Sequence, residues 1–251
     1  MRQALERTFY RYGWDTRCRN LAPARLLRSV LPGRPSQDGP ILLDVGCGKF
    51  GIVTFLRGVP AIGIDKQVPP EIVEGVTFQL GDVTAIPFLD RSFPVVSCID
   101  VLEHIPPDAR DLAINELVRV ASSAVLIACP HGKTAEECDK EFRNACESRA
   151  RAIPAWVLEH EKHRYPVTST VIAQIHRAAA ETGRTARITA SYCEPASVCR
   201  LIRAAAARSG LLYAAVNLLM GTLLDLLPSP DAGSSYRMIV LAELSPRSQE
   251  L

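Results

Sequence analysis

No Cys-x-x-Cys pair occurs among the eight cysteines of the sequence, which lie scattered between Cys18 and Cys199. This scatter argues against a zinc site and against a disulfide framework, so we expect neither. The net charge of +2 is too small to indicate a nucleic-acid partner. Charged residues interrupt positions 1–11, which lack the continuous apolar core of a signal peptide, and the expected location is therefore cytoplasmic.

Apolar runs of membrane-spanning length are also scarce. Residues 211–228 come close, but Asn217, Gly221 and Asp225 lie within them. A membrane span needs about 20 apolar residues, and polar groups inside one are costly. We therefore expect a helix or helix pair that packs on the core. Membrane contact beside a lipid-linked substrate is the alternative.

Basic residues concentrate near the amino terminus. Eight arginines occur in residues 1–34, against Glu6 and Asp15. Charge runs of this kind usually form the solvated face of an amphipathic helix, which is the interpretation that we prefer. The alternative is a lid that contacts an anionic substrate or a membrane surface.

The pattern of apolar segments predicts the fold class. With 251 residues and 47% hydrophobic content, the chain can bury one substantial core. Segments near residues 41–46, 60–64, 76–80, 95–100 and 124–129 predict strands, with helices or turns between them. This alternation predicts an α/β protein with a doubly wound, parallel sheet. Ligand sites in such sheets lie at the carboxyl ends of the strands.

A glycine-rich turn follows the first predicted strand. Residues 41–51 run through an apolar segment to Asp44 and then carry Gly46, Gly48 and Gly51. Glycine lets the backbone turn tightly and lie against a ligand where a Cβ would collide with it. Alone, this turn fits dinucleotide binders as well as S-adenosylmethionine binders. A sulfonium favours a carboxylate such as Asp44 nearby, whereas a pyrophosphate would be repelled by it.

Acidic residues end the next predicted strands. Asp65 lies nineteen residues after Gly46, a spacing that suits a carboxylate on the ribose hydroxyls of an adenosine. Asp82 follows the third strand directly after Gly81. The fourth strand ends in Asp-Val-Leu-Glu-His-Ile at residues 100–105.

In this order, the pieces resemble the signature of the class I S-adenosylmethionine-dependent methyltransferases over residues 38–130. The resemblance implies a Rossmann-like sheet of seven strands, mostly parallel, whose last strand from Ser235 to Leu241 pairs antiparallel at the sheet edge. It implies S-adenosylmethionine as the cofactor. The residues implied to bind it are Asp44, Gly46, Cys47, Gly48, Asp65, Lys66, Asp82, Val83, Asp100 and His104.

The resemblance also implies a role for each part of this set. The glycine turn lies along the methionine part, Asp65 holds the ribose, and Asp82 contacts the adenine amino group. The backbone of Val83 contacts the ring, and Asp100 lies beside the methionine end. For Cys47, a small residue that fits the turn is a better interpretation than a redox role.

One domain, residues 1–251, is expected to have four parts. These are an amino-terminal helical segment (1–37), the cofactor-binding core (38–130), a helical insertion on the acceptor side (131–184) and the carboxy-terminal part of the sheet (185–251). Trp156, Glu159 and His160, followed by Tyr165-Pro166, resemble a subset of bacterial methyltransferases encoded beside glycosyltransferases in surface-polysaccharide clusters. That subset implies a sugar or glycan-precursor hydroxyl as the acceptor.

A hydroxyl acceptor must lose its proton as the new bond forms, so a base becomes useful. His131 follows the fifth strand and is the best single candidate, because imidazole titrates near neutrality. Glu159 and His160 are candidates for an acceptor-binding pair. For His104, a structural or cofactor-side role is the better interpretation.

Two other functional classes stay open on the sequence alone. A nicotinamide-dependent oxidoreductase is disfavoured by Asp44 and by residues 100–105. A non-catalytic protein that binds an adenosyl ligand is opposed only weakly by intact ligand motifs, and turnover with candidate acceptors would separate it from an enzyme.

Overall fold

The protein is described from a computed structural model that covers residues 13–32, 39–48, 51–56, 58–68, 76–226 and 229–247. Seven strands alternate with helices along these residues. The strands are β1 (Leu42–Val45), β2 (Ala61–Asp65), β3 (Val76–Leu80), β4 (Phe93–Ile99), β5 (Ala121–Pro130), β6 (Arg184–Pro195) and β7 (Ser235–Pro246). The helices are α1 (Trp14–Val30), α2 (Arg110–Val120), α3 (Gly132–Glu147), α4 (Ala155–His163), α5 (Thr168–Glu181), α6 (Ala196–Arg208) and α7 (Gly210–Leu223).

The strands form one sheet in the order β3-β2-β1-β4-β5-β7-β6. From β1 to β5, neighbouring strands run parallel. The order reverses beside β1, where one half of the sheet continues through β2 and the other through β4. In a doubly wound sheet, a ligand crevice opens at this reversal, outside the carboxyl ends of the strands. The predicted fold class is therefore confirmed.

The implied edge position of the last strand is wrong. β7 pairs antiparallel with both β5 and β6, so β6 is the edge strand. Residues 235–242 of β7 are buried without interruption, whereas buried and exposed residues are mixed along β6. A strand that is buried on both faces is stabilised inside a sheet, where its backbone groups on both sides are hydrogen-bonded.

Side chains that alternate along the strands pack on two opposite layers. Leu43 of β1 joins the layer that includes Ile114 and Leu117 of α2 and Ile175 of α5. Its neighbour Leu42 joins the opposite layer, to which α1 contributes Ala24 and Leu27. Helices therefore cover both faces of the sheet, which leaves the strand ends as the place for a site.

α3, α4 and α5 follow β5, where the sequence predicts a helical insertion. α3 contacts α6 and β7, and α4 contacts the short helical turn Leu102–His104 after β4. The insertion therefore reaches across the carboxyl ends of β4 and β5. The division of the chain at residues 37, 130 and 184 stays a prediction.

The described part of the apolar segment, residues 211–226, lies in α7 and in a short turn, Leu224–Leu226. Among the described residues, none of the helices combines the length and the apolar character that a membrane crossing needs. The expected packing on the core is confirmed for one face of α7, where Tyr213, Val216 and Met220 pack against a buried cluster that includes Trp14 and Ile202. Its buried residues are Asn217 and Gly221, whereas Leu211 and Leu219 of α7 and Leu226 of the short turn are exposed.

Candidate functional site at the strand ends

The turn after β1 requires its glycines. Gly46 has φ +73°, and a Cβ built there would lie 2.2 Å from Cγ2 of Val101. Gly48 has φ +51°, and a Cβ there would meet nothing described within 4 Å. The backbone N–H of Gly46 donates to the carbonyl of Ile64, with 2.8 Å between nitrogen and oxygen. The turn is thus anchored to β2 and is open to a ligand at Gly48.

Cys47 lies inside this turn and is 8% exposed. A Cβ on Gly63 of β2 would lie 2.7 Å from its Sγ, so the thiol packs closely over that glycine. Burial raises the pKa of Cys47 to about 12, which keeps the sulfur protonated near neutral pH. These features agree with a small packing residue and not with a reactive thiolate.

Asp44 ties the second half of the glycine loop to the sheet. Its Oδ2 accepts a hydrogen bond from the backbone N–H of Ile52 at 3.1 Å, and its Oδ1 accepts one from the hydroxyl of Ser97 at 2.8 Å. Burial raises the pKa of Asp44 to about 7, although both hydrogen bonds favour the carboxylate. A cation in the adjoining cavity would stabilise its charged form.

Asp65 joins the end of β2 to the same turn. Its Oδ2 accepts from the backbone N–H of Gly48 at 3.0 Å, and its Oδ1 accepts from that of Gln67 at 3.2 Å. Lys66 lies next to it and forms an ion pair with Asp82, with 3.1 Å between Nζ and Oδ2. Asp65 and Lys66 therefore border one opening.

Asp82 is held by its own turn. Its Oδ1 accepts from both the backbone N–H and the hydroxyl of Thr84, each at 2.9 Å. Burial alone would raise the pKa of Asp82, but the Thr84 hydrogen bonds and the Lys66 ammonium outweigh it and lower the pKa. Val83, the next residue, is 4% exposed and lines the opening beside Gly81.

Three cavities lie side by side at the strand ends. The turn cavity, of about 240 Å³, is lined among others by Arg19, Asp44, Gly46, Cys47, Gly48 and Asp100. The strand-end cavity, of about 320 Å³, is lined among others by Asp65, Lys66, Val83, Asp100, His104 and Glu159. The insertion cavity, of about 460 Å³, is lined among others by Arg19, Asp100, Glu103, His104, Phe142, Trp156, His160, Arg203, Tyr236 and Arg237.

Asp100 lines all three cavities. It follows β4 directly and has φ +56°, which turns the chain at this point. Its carboxylate forms ion pairs with Arg237 of β7 and with Nε of Arg19 of α1, the latter at 2.6 Å. Burial opposes the charge, but these two guanidinium groups outweigh it and lower the pKa of Asp100. A carboxylate is thereby fixed at the junction of the cavities.

Sequence reasoning did not single out Arg19, Arg237 or Glu194, which complete this ionic group. Arg237 is 3% exposed and also lies 3.4 Å, from Nε to Oε2, from Glu194. The sequence analysis expected β7 at the edge of the sheet. In that position Arg237 would not be expected to lie near Asp100 at the end of β4. The signal available in the sequence was an arginine directly before the apolar run Met238–Ala242.

His104 and Glu159 meet across the strand-end cavity. Nδ1 of His104 lies 2.7 Å from Oε2 of Glu159. Burial and the neighbouring His160 lower the pKa of His104, although Glu159 favours its charged form. The rings of His104 and His160 have centroids 4.8 Å apart. A residue expected on the cofactor side is thus joined to the pair expected on the acceptor side.

Glu159 and His160 are neighbours in α4 but have different partners. Glu159 faces His104, whereas Nδ1 of His160 lies 2.8 Å from Oδ2 of Asp139. Asp139 is fully buried and was not singled out from the sequence. It also forms an ion pair with Arg203, a partly buried cation whose Cζ lies 4.2 Å from the ring centroid of Tyr236.

His131 lies away from these cavities. It is 6% exposed, with Nε2 3.0 Å from the Ser235 hydroxyl and Nδ1 3.1 Å from the Thr168 hydroxyl. Burial lowers its pKa to about 4. Since both ring nitrogens are engaged and His131 does not line the three cavities described above, its position does not favour a role as base.

Comparison with known proteins shows which proteins this chain resembles in sequence and in fold. Residues 43–129 match the family model described as a methyltransferase domain. A ubiquinone biosynthesis O-methyltransferase of Pseudomonas putida (strain GB-1) is 35% identical over 86 residues, which are 29% of this chain and 37% of that enzyme. The chain spans less than half the length of the curated relatives that it matches.

Solved structures share the fold. Phosphoethanolamine N-methyltransferase 2 of Haemonchus contortus, in complex with phosphomonomethylethanolamine and S-adenosylhomocysteine, has a TM-score of 0.53 and 19% identity, covering 91% of this chain and 52% of that one. A SAM-dependent methyltransferase from Archaeoglobus fulgidus has a TM-score of 0.52 and 17% identity, covering 90% and 94%. At these identities the likeness concerns the fold.

The sheet has the Rossmann-like fold of S-adenosylmethionine-dependent methyltransferases. Within it, residues 43–129 match a methyltransferase domain. The resemblance predicted from the sequence is thus confirmed, and the subset from polysaccharide clusters stays a prediction.

Proposed function

We propose that the chain transfers the methyl group of S-adenosylmethionine to a hydroxyl of a small-molecule acceptor. In this reaction the bond from sulfur to the methyl carbon breaks as a bond from oxygen to that carbon forms. The sulfonium becomes a neutral thioether, and the hydroxyl gives up its proton. The observation that carries the proposal is the meeting of three cavities at Asp100, because methyl transfer requires donor and acceptor in line and shielded from water.

The residues around two of the cavities fit S-adenosylmethionine. The open space at Gly48 allows close approach along the turn, and Asp44 offers a carboxylate near a bound cation. Asp65 borders the strand-end cavity with a carboxylate suited to the two ribose hydroxyls, and Val83 offers an apolar wall for the adenine. When bound, the cofactor supplies the electrophilic methyl group.

Asp82 stays a proposed adenine contact. Its carboxylate accepts from Thr84 and Lys66 and does not line the strand-end cavity. Contact with the adenine amino group would need one of these partners to give way. Lys66 is half exposed or more and is the partner that can move.

The insertion cavity suits a small polar acceptor. Its volume of about 460 Å³ lies within the usual range for small-molecule sites. Trp156 and Phe142 form a stacked pair with ring centroids 6.0 Å apart, which offers an apolar wall. Glu103, His104 and His160 form a polar wall next to it. A ring that carries hydroxyl groups, such as a sugar or glycan precursor, has both kinds of surface.

Two further parts of the proposal concern the setting of the enzyme. We place it in the cytoplasm and among enzymes that act on surface-polysaccharide precursors. The exposed leucines of α7 are the feature that a lipid-linked acceptor would use at a membrane surface, but the insertion cavity serves a free acceptor equally. The identity of the genes beside this one would test the pathway.

A nicotinamide-dependent oxidoreductase is the second candidate on the same fold. A dinucleotide would bring its pyrophosphate to the glycine turn, beside the buried carboxylate of Asp44 and close to that of Asp65. Two carboxylates at that position oppose two phosphate charges. The turn therefore favours a cationic ligand over a dinucleotide.

Calorimetric titration with S-adenosylmethionine, S-adenosylhomocysteine and NAD tests the proposal. We expect binding of the first two and no useful affinity for NAD; tighter binding of NAD would refute it. Release of S-adenosylhomocysteine is then measured with panels of sugar, phenol and amine acceptors. Turnover that requires a hydroxyl supports methyl transfer to oxygen. Cofactor binding without turnover on any acceptor would favour a non-catalytic adenosyl-binding protein.

A further inference from the structure

We infer that Glu103, His104 and His160 bind a divalent transition-metal ion at the wall of the insertion cavity. Metal binding itself stands on the geometry, whereas its chemical role rests on the proposed function. Spacing along the chain does not indicate this site, because His160 is 56 residues from His104 and the residues meet through the packing of α4 on the turn after β4.

The three side chains are arranged as a ligand set. Each offers one ligand atom, and these atoms lie within 4.8 Å of one another. Zinc–nitrogen and zinc–oxygen bonds of about 2.0–2.2 Å place tetrahedral ligand atoms roughly 3.4 Å apart. Closing the set therefore requires the ligand atoms to move by on the order of 1 Å, a distance that side-chain rotation can supply.

Both imidazoles are held as metal-ligating histidines usually are. Nδ1 of His104 lies 2.7 Å from Oε2 of Glu159, and Nδ1 of His160 lies 2.8 Å from Oδ2 of Asp139. In the tautomer that donates its Nδ1 proton to this carboxylate, each ring keeps the Nε2 lone pair for a ligand. Pairing of one ring nitrogen with a carboxylate fixes the tautomer and strengthens the other nitrogen as a metal ligand.

Glu103 supplies an independent observation. Its side chain is 1% exposed and lines the insertion cavity, yet none of the described residues donates a hydrogen bond to its Oε2. A buried carboxylate oxygen without a donor is costly. The nearby Arg19 and Arg237 both form ion pairs with Asp100. A metal ion beside the two histidines would satisfy this oxygen.

Two histidines and one carboxylate define the chemical class of the ion. The set suits Zn²⁺, Fe²⁺ or Co²⁺ and leaves coordination positions open. Because all three ligands line the insertion cavity, the open positions face the proposed acceptor. A metal ion there would lower the pKa of a bound hydroxyl and orient its oxygen, so the histidines would act as ligands and not as bases.

Co²⁺ binding to the full chain tests the site directly. The protein is dialysed against chelator, and Co²⁺ is added while visible absorption is recorded; Zn²⁺ is then added as a competitor. We expect one equivalent of Co²⁺, displaced by Zn²⁺, and a loss of affinity of at least tenfold in Glu103→Gln and His160→Gln. Retained affinity in both variants, or no saturable binding, would overturn the inference.

Two matched variants control for other sites. Glu136→Gln and His176→Gln remove an exposed carboxylate and an exposed imidazole that do not line the cavity, and we expect both to bind Co²⁺ as the parent does. All eight cysteines are free thiols. Intense thiolate-to-cobalt absorption bands in the parent would place the ion at a cysteine and would also overturn the inference.

The open coordination positions are probed with acetohydroxamate, a small chelating oxygen ligand. A change in the Co²⁺ spectrum of the parent supports a position reachable from the cavity, and an unchanged spectrum contradicts it. Titration of S-adenosylmethionine in the presence of chelator separates the two proposals. Cofactor binding without metal binding overturns the metal site alone, whereas metal binding without cofactor binding supports the site and refutes the proposed function.

Discussion

Nδ1 of His160 lies 2.8 Å from Oδ2 of Asp139, and this contact joins α4 to α3 at the wall of the insertion cavity. Asp139 is fully buried and serves several partners. Its carboxylate also accepts from the hydroxyls of Tyr165 and Tyr236 and forms an ion pair with Arg203. The Asp139 carboxylate therefore orients the imidazole of His160. It also holds together the segments that carry Tyr165, Arg203 and Tyr236.

Replacing Asp139 should destabilise the fold strongly. In Asp139→Ala, the partly buried Arg203 would lose its partner, and breaking a buried ion pair by removing one partner costs about 3–5 kcal/mol. The free energy of unfolding from urea titration measures the effect. Glu137→Ala is the control, because this half-exposed residue of the same helix forms only surface ion pairs and should change stability by less than about 1 kcal/mol. Equal effects of the two changes would contradict the central role of Asp139.

The first five strands could be predicted because each is a short apolar run followed by a turn or an acid. Their arrangement in a parallel, doubly wound sheet then follows from the alternation of strands and helices. β7 was misplaced because the position of an antiparallel strand is not encoded in its own residues. It depends on which neighbour is available, and the long β6, with its alternating exposure, takes the edge.

The cofactor-binding residues of the site could also be predicted from the sequence, because they lie at the ends of these strands. Asp44, Gly48 and Asp65 lie close together because the ends of adjacent strands meet, so local spacing describes them. The acceptor side is assembled from distant segments. Asp139 is one of several charged residues in a predicted helix, and its sequence neighbours do not distinguish it from a surface residue. Nothing near it in the sequence indicates that His160 and Arg203 contact it.

Asp65 carries a prediction about cofactor affinity. Asp65→Ala should weaken S-adenosylmethionine binding by about 1.5–3 kcal/mol through loss of a charge-assisted hydrogen bond to the ribose. Asp65→Asn separates this from the structural role, because an amide oxygen can still accept from the Gly48 N–H. We expect the asparagine variant to lose a large part of the affinity as well. Calorimetry measures the dissociation constant of S-adenosylmethionine for both variants. Asp108→Ala, at an exposed position, is the control. An unchanged dissociation constant in the Asp65 variants would show that Asp65 does not hold the ribose.

Trp156 carries a prediction about the acceptor. Its ring stacks on Phe142, and Cζ of Arg203 lies 5.1 Å from its centroid, so Trp156→Ala removes much of one cavity wall. We expect the KM for the acceptor to rise about tenfold or more, as loss of a large aromatic contact implies, while S-adenosylmethionine affinity stays within a few-fold. Leu158→Ala, at an exposed position of the same helix, should leave both constants unchanged. Loss of cofactor affinity with normal acceptor saturation would assign the insertion to the cofactor instead.

His131 carries a prediction about turnover that differs from the one made on its sequence position. A general base would be worth about 10²- to 10⁴-fold in turnover, and His131→Asn would then abolish most of it. The hydrogen bonds of both ring nitrogens to Thr168 and Ser235 lead us to expect turnover within a few-fold of the parent. The measurement is kcat at saturating acceptor, and a loss of a hundredfold would restore His131 as the base.

The same residue predicts how stability depends on pH. The pKa of His131 is about 4 in the folded protein because of burial and the nearby Arg237, against about 6.5 when unfolded. Between these values the unfolded chain binds a proton that the folded chain does not, so stability from this group is complete above pH 6.5 and declines as pH falls toward 4. The decline amounts to roughly 3 kcal/mol for a shift of this size. In His131→Asn, the free energy of unfolding should therefore fall less steeply from pH 7 to pH 4.5 than in the parent. His176→Gln, at an exposed position, should keep the parent slope. Parallel curves for the parent and His131→Asn would show that the pKa of His131 is not lowered by folding.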